Sequence, residues 1–287
     1  MKVVMTLLVR DEEDILAANF ECHLSQGVDF FIVTDNLSVD GSRDIIEHYV
    51  RAGVAVCLDE TCDDYSQALW VTRMARMAAA EYGADWVINS DADEFWFGST
   101  EEGIKVDLAA VGDQASCVSV SRSNYPPVDE KGVGFFAERM RIREHRSYNA
   151  FGEPLQPKIC HRGFTEIEVN QGNHSARRGK VPLQSVRAAL RILHYPARSY
   201  RQLENKIVKG GSAYARNTEL PAEVGGTWRY LYSRWQAGEL RAFYQQMILS
   251  TDAMEHGLLS GELLYDDTLL TVLRPSMGDS EVIRGNV

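Results

Sequence analysis

Apolar and polar positions recur along this chain with two different periods, and each change of period marks an element. Val3 to Val9 is an unbroken apolar run, the length of a strand buried on both faces. Leu16, Phe20 and Leu24 recur every four residues, as one face of a helix requires, and Gly27 supplies the stop. Asp29 to Thr34 predicts a second strand. Asp40 stands where it can cap a helix running to Val50, with Ile45, Ile46, Tyr49 and Val50 on a common face and Gly53 at the end. A third strand is predicted at Val54 to Leu58, an alanine-rich helix at Ser66 to Tyr82 stopped by Gly83, and a fourth strand at Trp86 to Asn89. Strands alternating with helices predict an α/β fold with a mostly parallel sheet and right-handed crossovers, whose ligands sit at the carboxyl ends of the strands.

Beyond residue 115 the periods weaken. Cys117 to Val120 reads as a strand, and residues 125–180, rich in Pro, Gly and Arg, as loops and short strands of a smaller lobe. Helical spacing returns from Ser199 to about Ala215 and from Trp228 to about Leu259, and the polar ending from Pro275 predicts a frayed terminus. The expected division is 1–115, 116–198 and 199–287, the last being helices that pack on the same unit.

At 287 residues the chain is long for one domain but within reach of one enlarged α/β unit, and its 45% hydrophobic content supports a sizeable core. Cys22, Cys57, Cys62, Cys117 and Cys160 are odd in number, scattered and without a CxxC pair, which argues against a disulfide framework or a zinc site and fits a reducing cytoplasm. The apolar N-terminal run is too short to span a membrane and carries no signal-peptide cleavage pattern, so no integral membrane segment is expected. The net charge of -11 is unevenly distributed. Residues 1–115 hold 23 acidic and 7 basic side chains, whereas residues 121–216 hold 18 basic and 8 acidic. Such a basic island can bind nucleic acid, a phosphorylated small molecule or the acidic half of its own chain; the acidic overall balance disfavours nucleic acid.

Three acidic clusters fall at predicted strand ends: Arg10-Asp11-Glu12, Asp35-Asn36 and Asp91-Ala92-Asp93. Two carboxylates at i and i+2 on a tight turn can both reach one hard cation, which in turn can bridge two phosphate oxygens. An acidic turn without a metal is the plainer alternative, since Asp also caps helices. Trp96 and Phe97 just beyond can form a platform for a sugar ring or belong to the core. No G-x-G-x-x-G or Walker pattern occurs, which disfavours dehydrogenases and P-loop enzymes.

Taken together, Leu8 to Glu13, Val33 to Asn36 with Ser38, Asp40 and Gly41, and Asn89 to Trp96 resemble the bacterial family-2-like glycosyltransferases. The resemblance continues through Gly172-Asn173-His174 and His194-Tyr195-Pro196 with Arg198, Ser199, Gln202 and Lys206. It implies a GT-A fold, a nucleotide-diphosphate sugar donor (UDP-type), and a DxD pair, Asp91 and Asp93, holding Mn²⁺ or Mg²⁺. By the same resemblance Arg10, Glu12, Asp35 and Asn36 lie near the nucleotide, and residues 116–198 form an acceptor-side lobe. His194 matches a further metal ligand best and His174 is the alternative; Arg198 and Lys206, two turns apart on a helix, and Lys158 are candidates for the diphosphate. An imidazole ligand would suit Mn²⁺ better than Mg²⁺.

Inverting transfer needs a general base for the acceptor hydroxyl. Glu94, Asp129, Glu144, Glu153 and Glu166 are candidates, with Glu153 named because it lies in a Gly- and Pro-flanked loop. The acceptor stays open among a glycan, a lipid-linked glycan and a small molecule. A metal-dependent nucleotidyltransferase or phosphohydrolase would need similar paired carboxylates, and a non-catalytic sugar-nucleotide-binding protein could share the fold.

Overall fold

The computed structural model describes residues 1–129, 134–221 and 224–279. In chain order the elements begin with β1 (Val3–Val9), α1 (Leu16–Ser25), β2 (Phe30–Asp35), α2 (Ser42–Arg51), β3 (Ala55–Asp59), α3 (Gln67–Ala80), β4 (Trp86–Asp91) and β5 (Glu94–Phe97). They continue with α4 (Ile104–Ala109), β6 (Cys117–Val120), β7 (Arg122–Asn124), α5 (Phe136–Arg139), β8 (Ile142–Glu144) and β9 (Lys158–Arg162). Five short strands follow: β10 (Ile167–Val169), β11 (Ala176–Arg178), β12 (Val181–Pro182), β13 (Ser185–Arg187) and β14 (Arg191–His194). The rest is α6 (Tyr200–Arg216), α7 (Gly226–Gln236), α8 (Leu240–Met247), α9 (Thr251–Ser260), β15 (Leu263–Tyr265) and α10 (Thr268–Asp279).

Two compact units share these elements. One comprises Met1–Cys62, Ser66–Arg122 and Gln156–Ile192; the other comprises Asp63–Tyr65, Ser123–Leu155 and Leu193–Val287. This differs from the three consecutive segments expected from the sequence, because β9 returns to the first unit's sheet as an antiparallel strand between β4 and β6.

The first unit is built on a seven-stranded sheet of order β13-β6-β9-β4-β1-β2-β3, in which β1, β2, β3 and β4 run parallel. Their apolar runs are continuous because both faces are covered. Val4 and Ile32 pack against Val71, Met74, Ala75 and Ala78 of α3, together with Ile167, Val169 and Ala176 of the small β10-β11-β12 sheet. Phe31 points to the opposite face, where Phe20 of α1 meets it edge-on at 4.7 Å and stacks on Tyr49 of α2 at 4.1 Å. Full burial of a ring such as Phe20 contributes roughly 1.5–3 kcal/mol.

Several local expectations change. Asp40 meets the start of α2 from one residue further out than expected: Gly41 holds the cap position, while Asp40 Oδ1 accepts from Ser42 N (2.9 Å), the first N–H of the helix, and its Oδ2 from Glu13 N (3.1 Å). Of the two readings left open for Trp96 and Phe97, the structure gives the core: with Phe95 they lie buried in β5, and the Trp96 indole N–H donates to Ser90 Oγ.

The second unit is largely helical. Ser199, where the helical spacing begins, caps α6 by accepting from Gln202 N, and Leu203, Ile207, Leu231, Leu240 and Tyr244 form the unit's core. The helix expected from Trp228 to Leu259 is three helices, interrupted at Gly238 and again at residues 248–250. The expected fraying from Pro275 is not found as far as Asp279, since α10 continues through the proline, anchored by buried Leu269, Leu270 and Leu273; what lies beyond Asp279 is outside the described residues.

Candidate functional site

Strand β1 is the switch point of the sheet, with β2 on one side and β4 on the other, and crevices that take ligands form at such points. Asp35 pairs in register with Val9 and with Asp59, while Asp91 pairs with Leu8, so three carboxylates end parallel strands along one rim. The loops after β1 and β2 brace each other. Asp11 N donates to Ser38 Oγ (3.1 Å), Val39 N to Asp11 Oδ1 (2.7 Å), Glu12 N to Ser42 Oγ (2.8 Å) and Gly41 N to Glu13 Oε2 (2.7 Å). Within them Asp11 (φ 54°) and Leu37 (φ 61°) adopt left-handed backbone, a strain of order 1–3 kcal/mol that such bracing must hold.

The Asp35 carboxylate is buried, accepts from Ser38 N at 3.2 Å and lies 3.7 Å from the Arg43 guanidinium, which also pairs with Glu47 and Asp59. Arg10 is half-buried at the exit of β1 and Glu12 is buried beside it, both on the rim where the family resemblance would put a nucleotide. Asn36 differs in role. Its amide donates to the carbonyls of Glu60 (3.0 Å) and Cys62 (2.7 Å), so it fastens the chain leaving β3.

At the end of β4 the turn Ala92-Asp93 is held by Asn19, whose amide donates to the carbonyls of Ala92 (2.9 Å) and Glu94 (3.2 Å). Asp93 is buried, whereas the Asp91 side chain is 35% exposed. Lys158 reaches this turn from β9. Its ammonium is 2.5 Å from Asp91 Oδ2 and 3.3 Å from Glu94 Oε1, with the lysine side chain only 2% exposed. Arg122 completes the arrangement at 3.1 Å from the same Glu94 oxygen. The sequence aimed Lys158 at a diphosphate; the structure sets it on two carboxylates of its own chain. Glu94, one of the candidate bases, is fully buried between two cations.

Asn173 and His174 approach from the segment after β10. The Asn173 amide lies 3.4 Å from Asp91 Oδ1, its backbone is left-handed (φ 60°), and its own Oδ1 is buried without a hydrogen-bond partner. His174 Nδ1 is 2.8 Å from the Pro157 carbonyl, which can only accept, so Nδ1 carries the proton and Nε2 keeps its lone pair. Burial first and the Lys158 charge second lower the His174 pKa to about 4, so the ring is neutral. Gly172 is required here: its φ is +79° and an added Cβ would come within 2.7 Å of the His174 ring.

The other candidates belong to the second unit. His194 Nδ1 bonds Asn124 Oδ1 at 2.7 Å. Arg198 is buried and donates to the Tyr195 carbonyl at 3.1 Å, and Lys206 lies 5.9 Å from the centre of the Trp228 ring. Glu153 is exposed, its carboxylate accepting from the Asn149 amide at 3.0 Å. Glu144 has its carboxyl pKa raised, chiefly by burial, against hydrogen bonds from Ser147 and Asn124.

Sequence reasoning missed the Lys158–Asp91 contact, the Arg122–Glu94 pair and Asn173. The signal for the two pairs was the basic island itself: three carboxylates packed into residues 91–94 beside a buried strand need cations from elsewhere in the chain.

The donor chemistry of the turn suits a hard divalent cation, which commonly uses one or two carboxylates together with substrate phosphates. Among the described residues no three His, Cys, Asp or Glu side chains gather into an all-protein cage, and this mode of binding needs none. Among those residues, too, no helix is long and apolar enough to cross a membrane.

Residues 3–116 match the family model of Glycosyltransferase family 92; the match includes the four parallel strands and the Asp91–Asp93 turn and ends just before β6. Among solved structures, Staphylococcus aureus TarS residues 1–349 is similar at 13% identity, over 98% of this chain and 93% of that one, with a TM-score of 0.41. Glucosyl-3-phosphoglycerate synthase from Mycobacterium tuberculosis, in complex with Mn²⁺, UDP and phosphoglyceric acid, is similar at 18% identity over 42% and 43% of the two chains, with a TM-score of 0.30. No curated protein matches. The family match falls on the residues that build the four parallel strands and carry the strand-end carboxylates, and it supports a transferase of the glycosyltransferase class.

Proposed function

We propose that the chain transfers a sugar from a nucleotide-diphosphate donor of the UDP type to an acceptor hydroxyl, with inversion, and that a divalent cation, Mn²⁺ or Mg²⁺, is held on Asp91 and Asp93. The observation that carries this reading is the placement of these two carboxylates in one braced turn at the carboxyl end of β4, next to the switch strand β1. A cation bound there would supply charge stabilisation of the leaving diphosphate.

The chain's own residues support the rest. Asp35, near-buried at the end of β2, is placed to accept from a base or ribose, with Ser38 N on its Oδ1 and Arg43 3.7 Å from its Oδ2 fixing its orientation. Asn19 keeps the Asp91–Asp93 turn from relaxing. Neutral His174 presents Nε2 as an acceptor or as a nitrogen ligand, its ring held by Pro157 and Gly172.

Thermal shift with UDP, GDP, dTDP and CMP donors, each with and without Mn²⁺, tests the reading, since a ligand at 100 times its Kd adds about 2.7 kcal/mol of stability. A shift that needs both one nucleotide and the metal is the expected result. No shift with any nucleotide would overturn it.

A further inference from the structure

We infer that Lys158 is a built-in counter-charge on Asp91 that makes cation binding depend on the nucleotide diphosphate, so that the two load as a pair. The inference rests on the proposed function and adds the order imposed on its site.

The chain Arg122–Glu94–Lys158–Asp91 alternates in charge, with contacts of 3.1, 3.3 and 2.5 Å. Its two inner members cannot exchange partners for water. Glu94 is fully buried, and Lys158 has 2% of its side chain exposed, so the ammonium has no solvated position to which it can withdraw. Asp91 is the one member whose side chain faces solvent to a substantial extent, at 35%. An arriving cation must therefore take Asp91 while an ammonium is still in direct contact with the same carboxylate.

A carboxylate has about four lone-pair directions, so geometry permits both partners. Charge opposes them, because a divalent ion beside a fixed ammonium is repelled, most strongly where burial lowers the dielectric response. A nucleotide diphosphate brings the negative charge that offsets this repulsion. Lys158 is thus a positioning residue acting through Asp91, and no contact of its own with the donor is invoked.

The test is Mn²⁺ binding followed by electron paramagnetic resonance of the free ion, with and without UDP, after correction for Mn²⁺–UDP complexes in buffer. The proteins are the wild type, Lys158→Met and the charge-keeping Lys158→Arg, each checked for folding by circular dichroism. Wild type is expected to bind Mn²⁺ alone weakly, with UDP strengthening the binding at least about 10-fold, within the usual range of coupling between sites. Lys158→Met is expected to bind Mn²⁺ alone about 10-fold more tightly than wild type and to lose most of the UDP coupling, while Lys158→Arg behaves as wild type.

A folded Lys158→Met that binds Mn²⁺ alone no better than wild type would overturn the inference. If that variant does not fold, the wild type decides, and Mn²⁺ binding that is equally tight with and without UDP overturns it. Failure of UDP to bind under any condition would instead bring down the donor reading, and the nucleotide-free Mn²⁺ comparison would still decide the role of Lys158.

Discussion

Asp35 and Asp91 end the two strands that flank β1, yet their surroundings differ in kind. Asp35 is near-buried itself, but its cation, Arg43, is 38% exposed and divides its charge among three carboxylates. Asp91 is the reverse: an accessible carboxylate whose cation, Lys158, is almost wholly enclosed. An exposed ion pair contributes little because water and salt compete for both partners, whereas the parts of an enclosed one cannot relax when a partner is removed. The first arrangement suits a carboxylate that adapts to a ligand. The second suits one that must stay in a single place.

Asp93→Ala probes the functional half of this difference and should have the largest effect: loss of metal-dependent nucleotide binding and of turnover, with the fold retained. A folded variant with normal turnover would remove Asp93 from the metal site.

Lys158→Met and Arg43→Met then compare the two cations directly. The first leaves Glu94 buried with Arg122 as its remaining named cation and should cost about 3 kcal/mol in denaturant unfolding. The second leaves the near-buried Asp35 with Ser38 N still bonded to it, and because Arg43 is 38% exposed and 3.7 Å away it should cost less, about 1 kcal/mol. Equal costs would erase the distinction drawn here.

Acid extends the comparison to other enclosed groups of the same unit. Burial lowers the pKa of His23 to about 3 and of His161 to about 4, against 6.5 in an unfolded chain. As pH falls below 6.5 the unfolded chain gains protons that the native rings refuse, so stability decreases through that window and the deficit is complete below about pH 3. Tm should be insensitive to these rings above pH 6.5 and fall towards pH 4. A Tm that holds constant from pH 7 to pH 4 would contradict this.

Much of the first unit was legible because it rests on local signals. Val3 to Val9 can only be a covered strand, Leu16, Phe20 and Leu24 only a helix face, and the acidic clusters after them mark strand ends without any knowledge of pairing. What could not be read depends on contacts between distant parts of the chain. Lys158 lies 67 residues from Asp91, and nothing in Gln-Pro-Lys-Ile announces that β9 inserts antiparallel beside β4. Trp96 was ambiguous for the same reason, since an aromatic after a turn faces a ligand or a core according to what packs over it. Asn36 looked like a ligand residue from its place after Asp35, and only the return of residues 60–62 shows where its amide goes. Gly238 lies inside the span whose spacing reads as helical, and the break there is a matter of backbone geometry (φ 75°) that periodicity does not weigh.

The most direct measurement is a crystal structure of the wild-type protein with UDP and Mn²⁺, with the metal located by its anomalous scattering. A manganese ion roughly 2.0–2.6 Å from a carboxylate oxygen of Asp91 or Asp93, and bonded to the diphosphate, is the expected result. A nucleotide bound with no metal at either carboxylate, or a metal held elsewhere in the chain, would contradict it.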